Sequence, residues 1–575
     1  MTAKRTITDL VPGLETFRTY QSEWLRSDLV AGLSVAAVAL PIGIAYAQLA
    51  GFPPVVGIYS CILPLVAYAL FGSSRQLVVN PDAAACAIVA ATVGPLALGN
   101  AGRYLELSII LTSFTGLLLI AGGLLGFGVI ANFLSRPILT GYLNGIAVTI
   151  IAGQLGTLLG FAVPAGGFFR TVGNVVSRLG ETHATTLILG ASLLVLLLLL
   201  KRLLPKLPGP LIVAAVSCIA VFALALNTKV VGAVPAGFPA PLVPHVNMAE
   251  IWPLVFGALG IGLVSFCSMM TTARGFAAKN GYRINVNQDM FALGVSDLAS
   301  AFNRGFVVSG ADSRTAVADS SGGKTQVTSL TAAAVMALVL LFLVRPLAYV
   351  PTAALAAILV SSALGLFDFA SLRYYYRISG PEFRHSMVAM LGVMTIGVLP
   401  GVLIAVGLAL LNLLRHASRP NDSVLGIIED EDGADDYVSR DLGGTAIPGL
   451  IIYRFESSIV FFNSDYFSDR VHALIRTTDP VPRYLLLDAE SVPLLDISGA
   501  YAIESLRTEL AKKGIVLGVA RASALVRVML EKSGVAETIG AANLHSTIHA
   551  AVRPYRDNHN ESKAKQAELL LTKEG

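Results

Sequence analysis

Charged residues are scarce in this chain of 575 residues. Asp, Glu, Lys and Arg make up 14% of it, where soluble domains carry about 25%. With 54% hydrophobic residues and a mean hydropathy of +0.70, too little polar side chain is present to cover a water-soluble body of this size. The same numbers exclude a disordered chain and a nucleic-acid-binding surface. Cysteine is sparse as well. Cys61, Cys86, Cys218 and Cys267 lie singly in apolar runs, which suits small core residues and sets up neither a disulfide frame nor a metal-ligand spacing. No nucleophile–base pair and no phosphate-loop spacing stands out, so we expect no enzyme, no cofactor and no metal. The N-terminus lacks the apolar stretch of a secretory signal, and the first span is expected to stay in the protein. A polytopic membrane protein is the class left standing.

Apolar segments recur from residue 29 to residue 414 and then stop. They predict fourteen spans: 29–50, 54–71, 82–98, 105–131, 137–159, 184–200 and 211–226 in a first half, then 253–273, 287–303, 311–320, 325–344, 350–367, 386–400 and 401–414 in a second. A full span needs about 20 residues, yet the third and the tenth are short and open on polar residues. Broken helices are tolerated at membrane depth only where protein or a water-filled cavity satisfies the backbone. Two of them at corresponding places in two seven-helix halves point to a secondary transporter built from inverted repeats. Basic residues favour one set of loops (Arg75, Arg136, Lys201, Arg202, Arg274, Lys279, Arg283, Arg373 and Arg377 among them) over the other (Arg103, Arg170, Arg178, Lys229), which predicts both termini in the cytoplasm. Gln154 and Asn144 are expected to hydrogen-bond between helices, and Asp297 to pair locally.

Composition then changes. We expect a cytoplasmic N-terminal segment at 1–28, a transmembrane transport domain at 29–415, an acidic, solvated linker at 416–446, an α/β domain at 447–556 and a charged tail at 557–575. In the α/β domain, a strand pair is predicted at 450–455 and 459–462, a helix at 466–476 and a strand at 484–487. A helix at 499–513, a strand at 515–519 and a helix at 522–531 follow.

Residues 39–59, ALPIGIAYAQLAGFPPVVGIY, resemble the first-helix and following-loop signature of the sulfate permease (SulP) anion transporter family. Residues 309–316, SGADSRTA, are similar to that family's tenth-helix motif, and 447–556, with Asp496-Ile-Ser-Gly499 at a strand-to-helix loop, resemble its STAS domain. The resemblance implies a core of helices 1–4 and 8–11, a gate of helices 5–7 and 12–14, and an anion held between the starts of helices 3 and 10 and the middle of helix 1. Carried over, it makes Tyr46, Pro81, Asp82, Ala83, Gly310, Ala311, Ser313, Arg314 and Thr315 the substrate-binding residues. Their chemistry agrees. Helix N-termini offer unpaired N–H groups and partial positive charge, Asn80-Pro81 and Ser309-Gly310 are placed to start the two helices, and Ser313 and Thr315 carry hydroxyls. Arg314 costs at least ~2.5–3.5 kcal/mol within a span, which marks it for function.

Two departures matter. Where many members carry a carboxylate in helix 8, Ser268 stands, with Thr272 one turn on, and the first-helix glutamine of some relatives is Ile42; a bound Na⁺ is therefore disfavoured. Asp82 and Asp312 instead appear where the family is usually neutral. Each is favoured by about 0.3–1 kcal/mol at a helix N-terminus without any function; the sharper reading is that one couples a proton to the anion. Asp312 and Arg314, two residues apart, are expected on opposite faces unless the helix starts beyond Ala311. In the STAS region Ser498 is the candidate phosphorylation site, against the plainer reading of an N-cap. The expected function is alternating-access transport of an inorganic anion of the sulfate or bicarbonate class, or of a small dicarboxylate. A chloride-type channel or exchanger and a nucleobase permease are the alternatives. Expected partners are the lipid bilayer, protons, a second copy as homodimer and a cytoplasmic protein at the STAS domain.

Overall fold

Each of the fourteen apolar segments carries a helix. In the first half these are α1 (Leu25–Leu49), α2 (Pro54–Phe71), α3 (Ala83–Ala97), α4 (Ala101–Leu125), α5 (Arg136–Leu159), α6 (Ala184–Leu203) and α7 (Gly209–Ala223). In the second they are α8 (Met248–Lys279), α9 (Val286–Phe302), α10 (Asp312–Ser320), α11 (Val327–Phe342), α12 (Thr352–Leu366), α13 (Gly380–Thr395) and α14 (Val398–Ser418). The structure is a computed structural model and describes residues 11–132, 136–163, 167–204, 207–232, 234–240, 242–429 and 435–554. Seven stretches, those of α1, α2, α4, α5, α6, α8 and α12, are long and apolar enough to cross a membrane. By contrast α10 has nine residues, rising about 14 Å, less than half a bilayer core.

Glycine sets the closest helix contacts. A Cβ added to Gly294 on α9 would lie 2.5 Å from the Gly116 carbonyl oxygen on α4, so these backbones touch as small-residue seams in membranes do. Buried polar side chains tie the chain at its corners. Asp28 on α1 is fully buried and accepts hydrogen bonds from the Lys324 and Thr325 backbone and from the Thr325 and Thr328 hydroxyls. Asn144 on α5 clamps the backbone of Asp368 through both its amide groups.

Two amphipathic helices went unforeseen. Phe168–Ser177 lies between α5 and α6, and Phe369–Ile378 between α12 and α13, corresponding places in the two halves.

The chain divides into two compact units, Met1–Ala409 and Leu410–Gly575. The second is built on a six-stranded sheet of order β4-β3-β5-β6-β7-β8, with β3 (Asp422–Glu429), β4 (Asp435–Ser439), β5 (Leu450–Phe455), β6 (Tyr484–Asp488), β7 (Val516–Ala520) and β8 (Leu544–His545). β5 to β8 run parallel, while β3 is antiparallel to both its neighbours. Alternate β5 residues feed two cores. Ile451, Tyr453 and Phe455 pack under α15 (Ser464–Thr477), α16 (Ile497–Lys512) and α17 (Ala524–Lys532), while Leu450 and Ile452 meet Ile548, Ala551 and Val552.

Two expectations change here. The stretch 416–446, expected as a solvated linker, supplies β3 and β4; its alternating Leu425 and Ile427, packed with Tyr437, suit a strand pair, and residues 430–434, with the acids 430–432, lie outside the described residues, as does the tail from residue 557. Residues 459–462 form no strand: Ile459 makes a single bridge to Leu495.

Candidate functional site

The two short helices start at a crossing of the chain. β1 (Val79–Asn80) precedes α3, β2 (Ser309–Gly310) precedes α10, and they pair antiparallel, Val79 with Gly310 and Asn80 with Ser309. Opposed strand directions send α3 and α10 away from the crossing in opposite directions, with both N-termini beside it. The Ala311 N–H donates to the Val78 carbonyl at 2.9 Å, and the Val78 N–H to Thr315 Oγ1 at 3.0 Å. Behind the crossing, the Phe306 N–H donates to Ser60 Oγ, Ser300 Oγ donates to the Phe306 carbonyl, and the Val308 N–H donates to Asp297 Oδ1 at 2.8 Å. The expected local pairing of Asp297 is thus with the extended segment that leads into β2.

The helix caps fall later than expected. Asn80 is held in β1, where its amide donates to the Val79 carbonyl, and Asp82 is the N-cap of α3, its carboxylate accepting from the Ala84 N–H at 3.3 Å. Ser309 donates to the Ser265 carbonyl at 3.0 Å, and Ala311 caps α10 without a side-chain bond. Strand pairing commits the backbone at 79–80 and 309–310, so neither helix can begin there.

Arg314 is buried, 2% exposed. Its guanidinium donates to the Pro81 carbonyl and to Ser313 Oγ at 3.4 Å, and lies 5.5 Å from the centre of the Tyr46 ring. One side chain therefore ties α10 to α1 and to the start of α3, and its charge is felt by both carboxylates, Asp82 and Asp312, without an ion pair to either. Asp312 turns the other way, toward α8, where it accepts a hydrogen bond from Thr272 Oγ1. The helix starts at Asp312, beyond Ala311, which is the condition under which both residues can face one space. Both border one cavity, which wraps the first turn of α10.

That cavity measures about 590 Å³ and is lined from α1, α3 and α10 by Ile42, Tyr46, Asp82, Ala311 and the segment 312–317, apart from Thr315. Its other wall is Leu197 and Lys201 of α6, Leu207, the start of α7, and Ser361, Ser362, Gly365 and Leu366 of α12. Of the expected substrate residues, Tyr46, Asp82, Ala311, Ser313 and Arg314 line it. Pro81, Ala83 and Gly310 do not line it, and neither does Thr315, whose hydroxyl oxygen accepts from the Val78 N–H just before β1. Ser268 does not line it, and neither does Thr272, which reaches the site through Asp312. Sequence reasoning missed the second wall. Lys201 read only as a loop charge at a span end, and Ser361 and Ser362 as ordinary small residues of an apolar run.

In the second unit Asp496, not Ser498, caps α16, accepting from the Gly499 N–H at 2.8 Å; Ser498 sits half-buried in the first turn. Among the described residues no group of acids, histidines and cysteines could hold a metal ion.

An apolar helical bundle with two interrupted helices starting at a shared cavity has the architecture of a membrane transporter of the broken-helix type. Residues 25–411 match the sulfate permease family and 445–551 the STAS domain, and the chain belongs to the sulfate permease family. It is 37% identical over 551 residues, 95% of this chain and 98% of the relative, to a probable sulfate transporter of Mycobacterium tuberculosis H37Rv. It is 31% identical to sulfate transporter 1.1 of Arabidopsis thaliana, over 93% of this chain and 86% of that one. Among solved structures it is similar to murine solute carrier 26 family member A9, described as an anion transporter in the inward-facing state, with a TM-score of 0.89, 25% identity, and 97% and 96% of the two chains covered. The transmembrane domain of a cyanobacterium bicarbonate transporter, BicA, shares the fold at a TM-score of 0.60 and 22% identity, over 68% of this chain and 98% of that one.

Proposed function

We propose that this chain carries a small inorganic anion of the sulfate or bicarbonate class, or a small dicarboxylate, across a cytoplasmic membrane by alternating access. The observation that carries the reading is the cavity at the crossing: two helix N-termini, the buried Arg314 and the accessible Ser313 converge on one space of about 590 Å³. Ser313 Oγ accepts from Arg314 and keeps its own proton to donate to an oxyanion. The relatives' names, sulfate and bicarbonate transporters, support the substrate class. The basic-loop asymmetry supports both termini inside, with the Lys201 end of the cavity toward the cytoplasm.

Proton coupling follows from charge. When ionised, Asp82 places its own carboxylate on the α3 N–H groups, so an arriving anion competes with an anion already in the chain. With Asp82 and Asp312 both ionised, the cluster formed with Arg314 carries one net negative charge. A proton on either acid removes that charge, and for Asp82 it also frees the α3 N-terminus. Anion and proton then bind together.

The test is uptake of labelled sulfate, bicarbonate and succinate into proteoliposomes, with and without an inward proton gradient. We expect sulfate uptake to rise as external pH falls, and Asp82→Asn or Asp312→Asn to flatten that dependence. A pH dependence unchanged in both variants would sink the coupling. Current reversing at the anion's Nernst potential would make the chain a channel.

A further inference from the structure

The helix Phe369–Ile378 has no role in the cavity, yet its composition is selective. Of its ten residues only Leu372 and Tyr375 are buried; Tyr375 meets Thr140 of α5 at 3.4 Å between hydroxyls. Phe369, Tyr374, Tyr376 and Ile378 are 60–70% exposed, with Arg373 and Arg377 exposed among them. Arg384, at the start of α13, is exposed on the same corner. Among the described residues none of these three arginines makes an ion pair or a hydrogen bond. The only acid between residues 369 and 400 is Glu382, which pairs with none of them. The corresponding helix in the first half, Phe168–Ser177, carries one arginine, and Arg178 after it donates to the Ala162 carbonyl at 3.2 Å.

Three facts define what covers this face. The helix joins α12 to α13, two apolar helices of the bundle, so it lies where the chain leaves the hydrocarbon. It presents aromatic rings and arginines together, the composition of a headgroup-level helix rather than of a water-exposed loop. Its cations lack protein counter-ions, so a layer of phosphates is their electrostatic complement. We propose that Arg373, Arg377 and Arg384, with Tyr374 and Tyr376, form a binding face for anionic phospholipid headgroups. The face is fixed to the transport cavity. Asp368, which caps the helix by accepting from the Ser371 N–H at 2.9 Å, is the residue clamped by Asn144, and α12 lines the cavity with Ser361, Ser362, Gly365 and Leu366 immediately before it. Lipid phosphates gripping this corner hold the end of the α12 wall, at the same end of the bundle as Lys201.

The full-length protein is to be reconstituted in phosphatidylcholine and in phosphatidylcholine with a quarter phosphatidylglycerol, as wild type, as Arg373→Gln/Arg377→Gln and as Arg373→Lys/Arg377→Lys. Retained phosphatidylglycerol is counted by native mass spectrometry, a readout independent of any transport activity. At about fivefold per arginine, the glutamine pair should bind phosphatidylglycerol roughly 25-fold more weakly, while the lysine pair stays near wild type. Anion flux should respond to phosphatidylglycerol in the wild type and not in the glutamine pair. Equal phosphatidylglycerol retention by wild type and a monodisperse glutamine pair would overturn the proposal, as would equal retention of phosphatidylcholine and phosphatidylglycerol by the wild type.

Discussion

Arg314 shows how much one side chain can organise. Its charge sits at the meeting point of α1, α3 and α10, stacked on Tyr46 and bonded to the Pro81 carbonyl, with Nε left without a partner. A buried cation with spare hydrogen-bonding capacity next to an open cavity favours an anion that completes its shell. Hydrogen bonds to charged groups contribute about 1.5–3 kcal/mol, so Arg314→Gln should lower uptake at subsaturating substrate by roughly 10- to 150-fold. Arg314→Lys keeps the charge but cannot span the Pro81 carbonyl and the cavity at once, and should recover only part of the loss. Initial rates at equal reconstituted protein check both; wild-type uptake by Arg314→Gln would remove Arg314 from the site.

At the scale of elements, the crossing strands depend on a residue with no side chain. A Cβ on Gly310 would lie 2.8 Å from the Met269 Cα and 2.7 Å from its Cγ, so β2 runs against the backbone of α8. Because part of that obstacle is main chain, Gly310→Val should prevent correct assembly, read as loss of the monodisperse peak in detergent. Gly310→Val/Met269→Ala should not restore it; recovery there would mean that only the Met269 side chain was in the way. The helices were legible because a bilayer demands long apolar runs, and the short, polar-headed α3 and α10 stood out against that rule. The crossing itself was less so. A two-residue strand has no periodicity, and Asn80-Pro81 and Ser309 imitate helix starts that strand pairing moves to Asp82 and Ala311. The helix Phe369–Ile378 escaped because its arginines and tyrosines interrupt any apolar run, while Leu372 and Tyr375 alone face inward. At residues 459–462 the opposite error arose: an apolar quartet suited a strand but meets Leu495 at one bridge.

At the scale of the transmembrane unit, a second cavity of about 630 Å³ opens at the other end of the bundle. It is lined by Gln48 and Pro54 on one side and by Thr157, His183, Lys229 and Thr352 among others opposite. Tyr46 borders the first cavity and Gln48 the second, so along α1 the two spaces are separated by two residues, about 3 Å of helix rise. Residues two apart lie on opposite faces of a helix, so each cavity meets its own face of α1, and the packed body of that helix lies between them. The proposed alternating access requires a displacement of α6, α7 and α12 relative to α1 and α10 that hands the site from one cavity to the other. Single cysteines in a background free of Cys61, Cys86, Cys218 and Cys267 report this directly. A membrane-impermeant thiol reagent should modify Gln48→Cys only from the end opposite Lys201, and Ser313→Cys fast from the Lys201 end and more slowly from the opposite end as the site changes sides. Saturating sulfate should slow the Ser313→Cys reaction several-fold, because Ser313 borders the occupied site. Modification of Gln48→Cys from the Lys201 end would mean a continuous pore between the two cavities, and alternating access would have to be abandoned for this chain.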